Sequence, residues 1–252
     1  TAFLYSLYWA FGFDQYLLLE TIMKNFVFLC VLSKCISAQE YTISIFGLPI
    51  AEVKQTRSHH STISFETRNT GIADLIWPAK NFYSAQFDSA SFGIRGWDKK
   101  IRQGEFKKKL SVDFNPATTE LVYGSKNKVQ ITDKTQTIFT LLAMVQTADY
   151  RELDTHWFPF EHEGQLGKAR LVWSDTTTIN YRKNKELCDH YRLDIIIDDD
   201  SGKFWEKSDY FMSEIIASGI VRQLWVSRET QKRIIQASIK TMGLPLIALI
   251  HE

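Results

Sequence analysis

Few residues of this sequence have the types and spacing that acid–base or metal chemistry needs. His162 stands between Glu161 and Glu163, and His156 precedes it with Pro159 in between. A hydrolase would need such a histidine beside a carboxylate and a nucleophile in one cleft. Because Pro159 interrupts any regular spacing, we expect satisfied or exposed histidines. Neither a zinc site nor a catalytic histidine pair is predicted.

The acidic residues 198–202 resemble a calcium-binding loop at first sight. An EF-hand loop places glycine at its sixth position and glutamate at its twelfth. Counted from Asp198, these positions hold Lys203 and Asp209, so a polar turn between strands is predicted instead. The sequence also lacks a glycine-rich phosphate loop, a Gly-x-Ser-x-Gly elbow and a Cys-x-x-Cys pair. We therefore expect no metal and no cofactor.

The strongest run of charge is basic. Residues 107–109 are all lysine, with Lys99, Lys100 and Arg102 nearby. The whole chain carries 30 basic and 29 acidic residues, and this balance argues against a nucleic-acid partner. In a strand, Lys108 shares its side with four apolar residues, Phe106, Leu110, Val112 and Phe114. A cation there must reach out to water, pair with an acid or meet an anionic ligand, so Lys108 is a candidate ligand-binding residue.

A second candidate is the apolar stretch at residues 72–78, which follows a turn-like Asn-Thr-Gly. One interpretation is a loop or short helix that caps the core. The other is a lid over a ligand cavity, because apolar loops often mark binding surfaces. In the second case Ile72, Leu75 and Trp77 would contact the ligand.

These candidates must be positioned by strands, because apolar and polar residues alternate along most of the chain. Hydrophobic residues make up 44% of the sequence and charged residues 23%, which is typical of a folded protein. Alternation gives each strand one dry and one wet face, and turn signals at hairpin intervals separate the runs. The prediction is a mainly β fold with a large curved antiparallel sheet, built as a half-barrel, barrel or sandwich. No βαβ repeat is present.

Helix signals are limited to one or two short segments. Thr135 or Thr137 could cap a helix whose apolar stripe contains Ile138, Leu141, Leu142 and Val145. That helix would pack on the sheet or plug its concave side. Residues 209–217 could form another short helix or a loop.

The amino end predicts export. Residues 23–38 form a signal peptide with Lys24, a short apolar run and a small-residue cleavage site at Ala38, although Lys34 weakens the pattern. Residues 1–22 are either translated upstream sequence or a membrane-anchoring extension. Residues 39–252 then form a single β-rich domain, periplasmic or associated with the outer membrane. Its one remaining cysteine, Cys188, is expected to be buried and unreactive.

The order of these segments resembles a bacterial exported family catalogued as domain of unknown function 3108. The resemblance spans residues 40–249. Its segments are an opening hairpin at 41–53, a strand at 82–84 after the Trp-Pro loop, a basic strand at 104–114, an apolar helix near Thr137 and closing strands from Leu224. It implies a β-rich protein of the cell envelope and transfers no catalytic residue.

Three functional hypotheses follow. The first is a non-enzymatic exported protein whose concave face binds an apolar or amphiphilic ligand such as a lipid or lipoprotein acyl chain, through Ile72, Leu75, Trp77 and Lys108. The second is a structural or assembly partner of another envelope protein, which would use an exposed sheet edge. The third is a hydrolase that uses His162 with Glu161 or Glu163.

Overall fold

The structure is a computed structural model that describes residues 37–58, 61–124, 127–198, 204, 209–241 and 244–251. Most of the predicted signal peptide, the extension at 1–22 and nearly all of the acidic stretch at 198–202 lie outside these residues. Among the described residues, no helix combines the length and the apolar character needed to span a membrane.

Fourteen strands and four helices make up the described chain. The strands are β1 (Ser37–Ile45), β2 (Leu48–Ser58), β3 (Thr62–Asn69), β4 (Lys80–Phe87), β5 (Ile94–Gln103), β6 (Phe106–Asn115), β7 (Glu120–Tyr123), β8 (Asn127–Gln130), β9 (Trp157–His162), β10 (Gln165–Tyr181), β11 (Asn184–Ile197), β12 (Val221–Ser227), β13 (Ile234–Thr241) and β14 (Leu244–Ile250). The helices are α1 (Gly71–Ile76), α2 (Ile138–Val145), α3 (Tyr150–Leu153) and α4 (Tyr210–Ile216).

All fourteen strands form one antiparallel sheet in the order β8-β7-β6-β5-β4-β3-β2-β1-β14-β13-β12-β11-β10-β9. Strands that follow each other in the chain are neighbours, apart from β8 and β9, and the pairing of β1 with β14 joins the two ends of the chain. The mainly β prediction with a large antiparallel sheet is confirmed. A sandwich of two separate sheets is not formed, because a single sheet holds every strand.

The sheet is not closed, since β8 and β9 are its two edges. A short segment at Thr135 and Gln136 joins β5 to β9 by backbone hydrogen bonds. The amide of Ile94 in β5 donates to the carbonyl of Thr135 at 2.9 Å, and the amide of Gln136 donates to the carbonyl of Pro159 at 2.7 Å. The amide of Glu161 donates to the carbonyl of Gln136 at 2.9 Å. These bonds link β5 to β9 without closing the sheet.

Helix α2 packs on the inner side of the sheet. It begins at Thr137, whose hydroxyl accepts from the amide of Thr140 at 3.3 Å while the Thr140 hydroxyl accepts from the amide of Thr137 at 2.8 Å. This reciprocal pair satisfies amides that the first helical turn leaves without partners. The ring of Phe139 lies 5.4 Å from that of Phe65 and 5.3 Å from that of Tyr83. The predicted helix cap is present, and of the two arrangements expected for this helix the contacts of Phe139 show packing on the sheet.

Antiparallel pairing sends successive connections to opposite ends of the sheet. We call the end with the β1–β2, β3–β4, β5–β6 and β13–β14 connections the rim end, and it includes α1. The far end holds the β2–β3, β4–β5, β10–β11 and β12–β13 connections, together with the carboxyl end of α2. Any side chain can therefore be assigned to an end from its place along its strand.

Candidate functional site

Helix α1 is an apolar helix that covers no core. Ile72, Leu75 and Ile76 are 76%, 84% and 78% exposed, and none of its six residues is buried. Six residues are too few for a helix to be stable by propensity alone. A side-chain contact at its carboxyl end helps to hold it: the side-chain amide of Asn69 donates to the Trp77 carbonyl at 2.8 Å. The expectation that this stretch caps the core is therefore wrong.

The exposed apolar side chains are concentrated at one end of the sheet. Of the eleven large apolar side chains exposed in the described part of the chain, ten lie at the rim end and only Leu187 lies towards the far end. We call these ten residues the apolar rim: Phe46, Leu48, Ile72, Leu75, Ile76, Trp77, Phe106, Ile196, Val221 and Leu244. Single exposed apolar residues are ordinary, but a group confined to one end marks a contact surface.

A group of cations lies on the outer face of β4, β5 and β6, towards the same end. We call it the basic strip, and it consists of Lys80, Lys100, Arg102, Lys107 and Lys109. Cross-strand pairing places Lys100 beside Lys109 and Arg102 beside Lys107. The structure shows no ion pair between any of the five and another described residue. Their positive charge is therefore available to an external anion.

The basic strip borders a shallow depression of about 630 Å³. Phe82 lines it between the cations, and the ammonium of Lys100 lies 5.7 Å from the Phe82 ring centroid. Glu66 is the one acidic residue among the described lining. The depression therefore combines an apolar floor with an excess of positive charge.

The turn between β5 and β6 joins the basic strip to the apolar rim. The amide of Gly104 donates to the Pro78 carbonyl at 2.8 Å. The backbone of Gly104 has φ +59°, and a Cβ added there would lie 3.2 Å from the indole nitrogen of Trp77. Glycine thus lets the turn adopt its left-handed backbone while the indole packs against it. Trp77 lies where the apolar and basic surfaces meet.

The four residues selected from the sequence do not meet in one cavity. Ile72, Leu75 and Trp77 belong to the apolar rim and face away from the inner side. Lys108 lies on the same side of β6 as Val112, opposite Ile101 of β5. It is half-buried, and burial lowers the pKa of its ammonium. Parity thus placed Lys108 on the side expected from the sequence. Side-chain alternation did not show that residues 72–78 lie at the rim end, away from Lys108.

A cluster of buried charges lies on the inner side around Lys99 of β5. The cross-strand neighbour of Lys99 in β6 is Leu110. The Lys99 ammonium forms a close ion pair with Glu163 and lies 3.8 Å from the Asp209 carboxylate. Asp209 also accepts from the Tyr83 hydroxyl at 2.5 Å. Because these groups come from β5, the β9–β10 turn and the start of α4, the cluster connects three segments that are far apart in the sequence.

Burial shifts the pKa values in this cluster. It lowers the pKa of Lys99 to about 8, against the attraction of the nearby carboxylates. It also raises the pKa of Glu161, which is fully buried. Glu161 Oε1 accepts from the Tyr123 hydroxyl and from the Gly164 amide, while its Oε2 has no hydrogen-bond partner among the described residues. Sequence reasoning missed this cluster, although Lys99 shares the parity of buried Trp97.

The geometry gives little support to the hydrolase hypothesis. His162 Nε2 lies 3.9 Å from Glu163 Oε1, but this carboxylate is already the partner of Lys99. The cavity that Glu161, His162 and Glu163 help to line holds about 20 Å³. Such a volume accommodates about one water molecule and no organic substrate. The described residues contain no group of three or more side chains suited to a metal ion.

Comparison with solved structures identifies a similar fold. The chain resembles a β-barrel-like protein of a domain of unknown function, number 1849, from Brucella abortus, with a TM-score of 0.52 and 8% sequence identity. The match covers 85% of this chain and 95% of that chain. At this identity the likeness shows the fold alone. No protein-family model and no curated protein matches the sequence, so the resemblance to the exported family remains a prediction.

Proposed function

We propose that this protein is an exported envelope protein that binds the surface of an anionic lipid bilayer through its apolar rim and basic strip. The observation that carries the proposal is the confinement of ten of eleven exposed large apolar side chains to one end of the sheet. The lipid-like ligand expected from the sequence is kept. Its place moves from the concave side to the rim end, because the exposed apolar side chains lie at the rim end.

The chemistry of this end suits the boundary between water and lipid. Burying an exposed Leu or Ile side chain in an apolar phase stabilises by roughly 1.5–3 kcal/mol. Each basic residue near an anionic bilayer adds about 1 kcal/mol. Trp77 lies between the apolar and basic parts, and indole rings favour this interfacial depth. Several such contacts acting together are sufficient for reversible membrane binding.

Flotation of the protein with lipid vesicles tests the proposal. We expect it to float with vesicles of equal parts phosphatidylglycerol and phosphatidylcholine, and less with phosphatidylcholine alone. Added salt should weaken the binding because it screens the basic strip. The double variants Leu75→Ser/Ile76→Ser and Lys107→Glu/Lys109→Glu should each lose most of the flotation.

Matched control variants come from the far end. Leu187 is exposed by 50% and Lys185 is exposed too, and both lie near the β10–β11 turn. Leu187→Ser makes the same kind of change at one position and is compared with Leu75→Ser alone, while Lys183→Glu/Lys185→Glu matches the double charge reversal; both should leave flotation unaltered. Equal flotation of rim variants and far-end variants would refute the proposal.

A second function, that of an assembly partner, is favoured by the open edge of the sheet. Strand β8 is four residues long and pairs on one side, with β7. A strand from another protein could extend the sheet there. The amide of Ile131 donates to the Thr119 carbonyl on the β7 side at 2.9 Å, so alternation along β8 turns the amide of Lys128 toward the open edge. Lys128→Pro would remove that amide and block such pairing. Cross-linking of the wild-type chain to one stable protein neighbour, lost in this variant, would favour this function over lipid binding.

A further inference from the structure

A cleft of about 540 Å³ opens at the far end, opposite the apolar rim. Its walls come from the end of β2, the β4–β5 and β12–β13 connections and the residues after α2. The volume lies within the range of about 300–1,000 Å³ that small-molecule sites occupy. Several lining residues carry hydroxyl groups, namely Ser58, Ser61, Ser89, Thr147 and Thr230.

Two cations line this cleft without an acidic partner in the part of the chain that the structure describes. The guanidinium of Arg57 donates to the Thr147 hydroxyl at 2.6 Å, and the ammonium of Lys232 donates to the Ala148 carbonyl at 2.7 Å. Because Thr147 and Ala148 are consecutive, one short segment after α2 anchors both charged groups at the cleft. Among the described residues, neither cation forms an ion pair, and no carboxylate lines the cleft.

Both cations are half-buried and keep unused donors. Arginine has five N–H donors and lysine three. Arg57 uses one of them in its contact with Thr147, and Lys232 uses one in its contact with Ala148. Burial lowers the pKa of the Arg57 guanidinium. A half-buried guanidinium without a counter-charge is unfavourable, and a bound anion would compensate for it.

A buried network of amides makes the floor of the cleft rigid. The side-chain amides of Gln39 and Gln55 both donate to Gln146 Oε1, at 2.8 and 3.0 Å. Gln146 in turn donates to the Leu142 carbonyl of α2 at 2.7 Å, and the Tyr41 hydroxyl donates to Gln39 at 2.6 Å. This network fixes the end of α2, and with it the carbonyl and hydroxyl that hold the two cations. The site is therefore arranged before any ligand arrives.

We propose that the far-end cleft binds a small ligand carrying an oxyanion, either a carboxylate or a phosphate, between Arg57 and Lys232. The guanidinium matches two oxygens of such a group at once, and the ammonium supplies a second positive charge. The neighbouring hydroxyls would hold the polar remainder of the ligand. This site is separate from the lipid surface of the proposed function, since the two lie at opposite ends of the sheet.

Titration of the full chain with inorganic phosphate and with acetate, followed by two-dimensional amide NMR, tests this proposal. Sodium chloride at matched ionic strength is the reference. We expect phosphate or acetate to shift the amides around Thr147 and Thr230 where chloride does not. Arg57→Gln and Lys232→Met should each weaken that binding by about tenfold, because each removes a charged hydrogen-bond donor. Lys185→Met, an exposed far-end variant outside the cleft, should bind as the wild type does.

If only phosphate shifts these amides, the ligand carries a phosphate. If only acetate shifts them, the ligand carries a carboxylate. If Arg57→Gln fails to fold, Lys232→Met gives the answer alone, because its contact is with a single carbonyl. Shifts no larger than those with chloride would overturn the proposal, as would binding that neither variant weakens. Vesicle flotation of Lys232→Met should equal that of the wild type, so failure of this site and failure of the lipid surface remain distinguishable.

Discussion

Lys99 is a buried cation whose pairing with Glu163 and Asp209 compensates for its loss of hydration. Removing one member of a buried pair leaves the other charge without compensation and costs roughly 3–5 kcal/mol. We expect Lys99→Met to lower the free energy of unfolding by about this amount in urea denaturation. The adjacent Lys100 lies on the exposed outer face, and Lys100→Met should change stability by less than about 0.5 kcal/mol. Similar losses in the two variants would contradict this account.

Glu161 makes stability depend on pH. Burial raises its pKa above the ordinary 4.5, so the folded state holds a proton that the unfolded state releases. The stabilisation from that proton is complete below pH 4.5 and is lost as the pH rises through the folded-state pKa. Glu161→Gln mimics the protonated carboxyl. We therefore expect its stability relative to the wild type to increase with pH, by at most about 1.4 kcal/mol per unit.

Glu120, a half-buried carboxylate near the surface, supplies the control for this pH experiment. The Thr118 hydroxyl and Lys128 lower the pKa of Glu120, so its stabilisation is present above pH 4.5 and is lost as the pH falls. The stability of Glu120→Gln relative to the wild type should therefore decrease as the pH rises from acid values. Unfolding curves measured across this range would show opposite slopes for the two variants. A flat difference for Glu161→Gln would disprove its buried protonation.

At the residue scale, the alternation of side chains along a strand predicted which side a residue faces. It did not predict which residues form ion pairs. Alternation placed Lys108 on the apolar side of its strand, as the structure shows. The same alternation applies to Lys99, between Trp97 and Ile101, but its acidic partners come from residues more than 60 positions away. No local pattern contains such a contact. The calcium-loop comparison likewise counted Asp209 only as a position that lacks the required glutamate, whereas its carboxylate accepts bonds from Tyr83 and Gln103.

At the scale of elements, α1 and α2 are both apolar helices but have opposite environments. Leu141 of α2 is 1% exposed, whereas Leu75 of α1 projects into solvent. Leu141→Ala should lower the free energy of unfolding by roughly 2–5 kcal/mol, since it removes buried methyl groups and leaves a cavity. Leu75→Ala makes the same chemical change and should cost less than about 0.5 kcal/mol. A large loss for Leu75→Ala would mean that α1 packs on the core in solution.

The sequence predicted α2 well because its signals are local. Thr137 caps it and its apolar residues follow the helical period. The stretch that forms α1 allowed either a loop or a short helix, and neither choice predicted its exposure. Whether an apolar segment is covered depends on what the rest of the sheet brings against it. The sheet leaves α1 beyond the ends of β3 and β4, where no buried face is available.

At the scale of the whole sheet, alternating connections divide the protein chemically into two ends. The rim end gathers apolar side chains from strands β2, β6, β11, β12 and β14, which are far apart in the sequence. The far end gathers Arg57 and Lys232 into one cleft. The sequence predicted a large antiparallel sheet but not its strand order. Neither grouping could therefore be foreseen, because each depends on which connections share an end.

An environment-sensitive fluorophore on the rim gives the most direct test of the central claim. The three native cysteines would be replaced by alanine, and a single cysteine introduced at Leu75 or at Leu187 would carry a nitrobenzoxadiazole label. On addition of phosphatidylglycerol vesicles, the label at position 75 should brighten and shift to the blue, because it enters an apolar phase. The label at position 187 should not change. Equal responses at the two positions, or no response at position 75, would contradict membrane binding through the apolar rim.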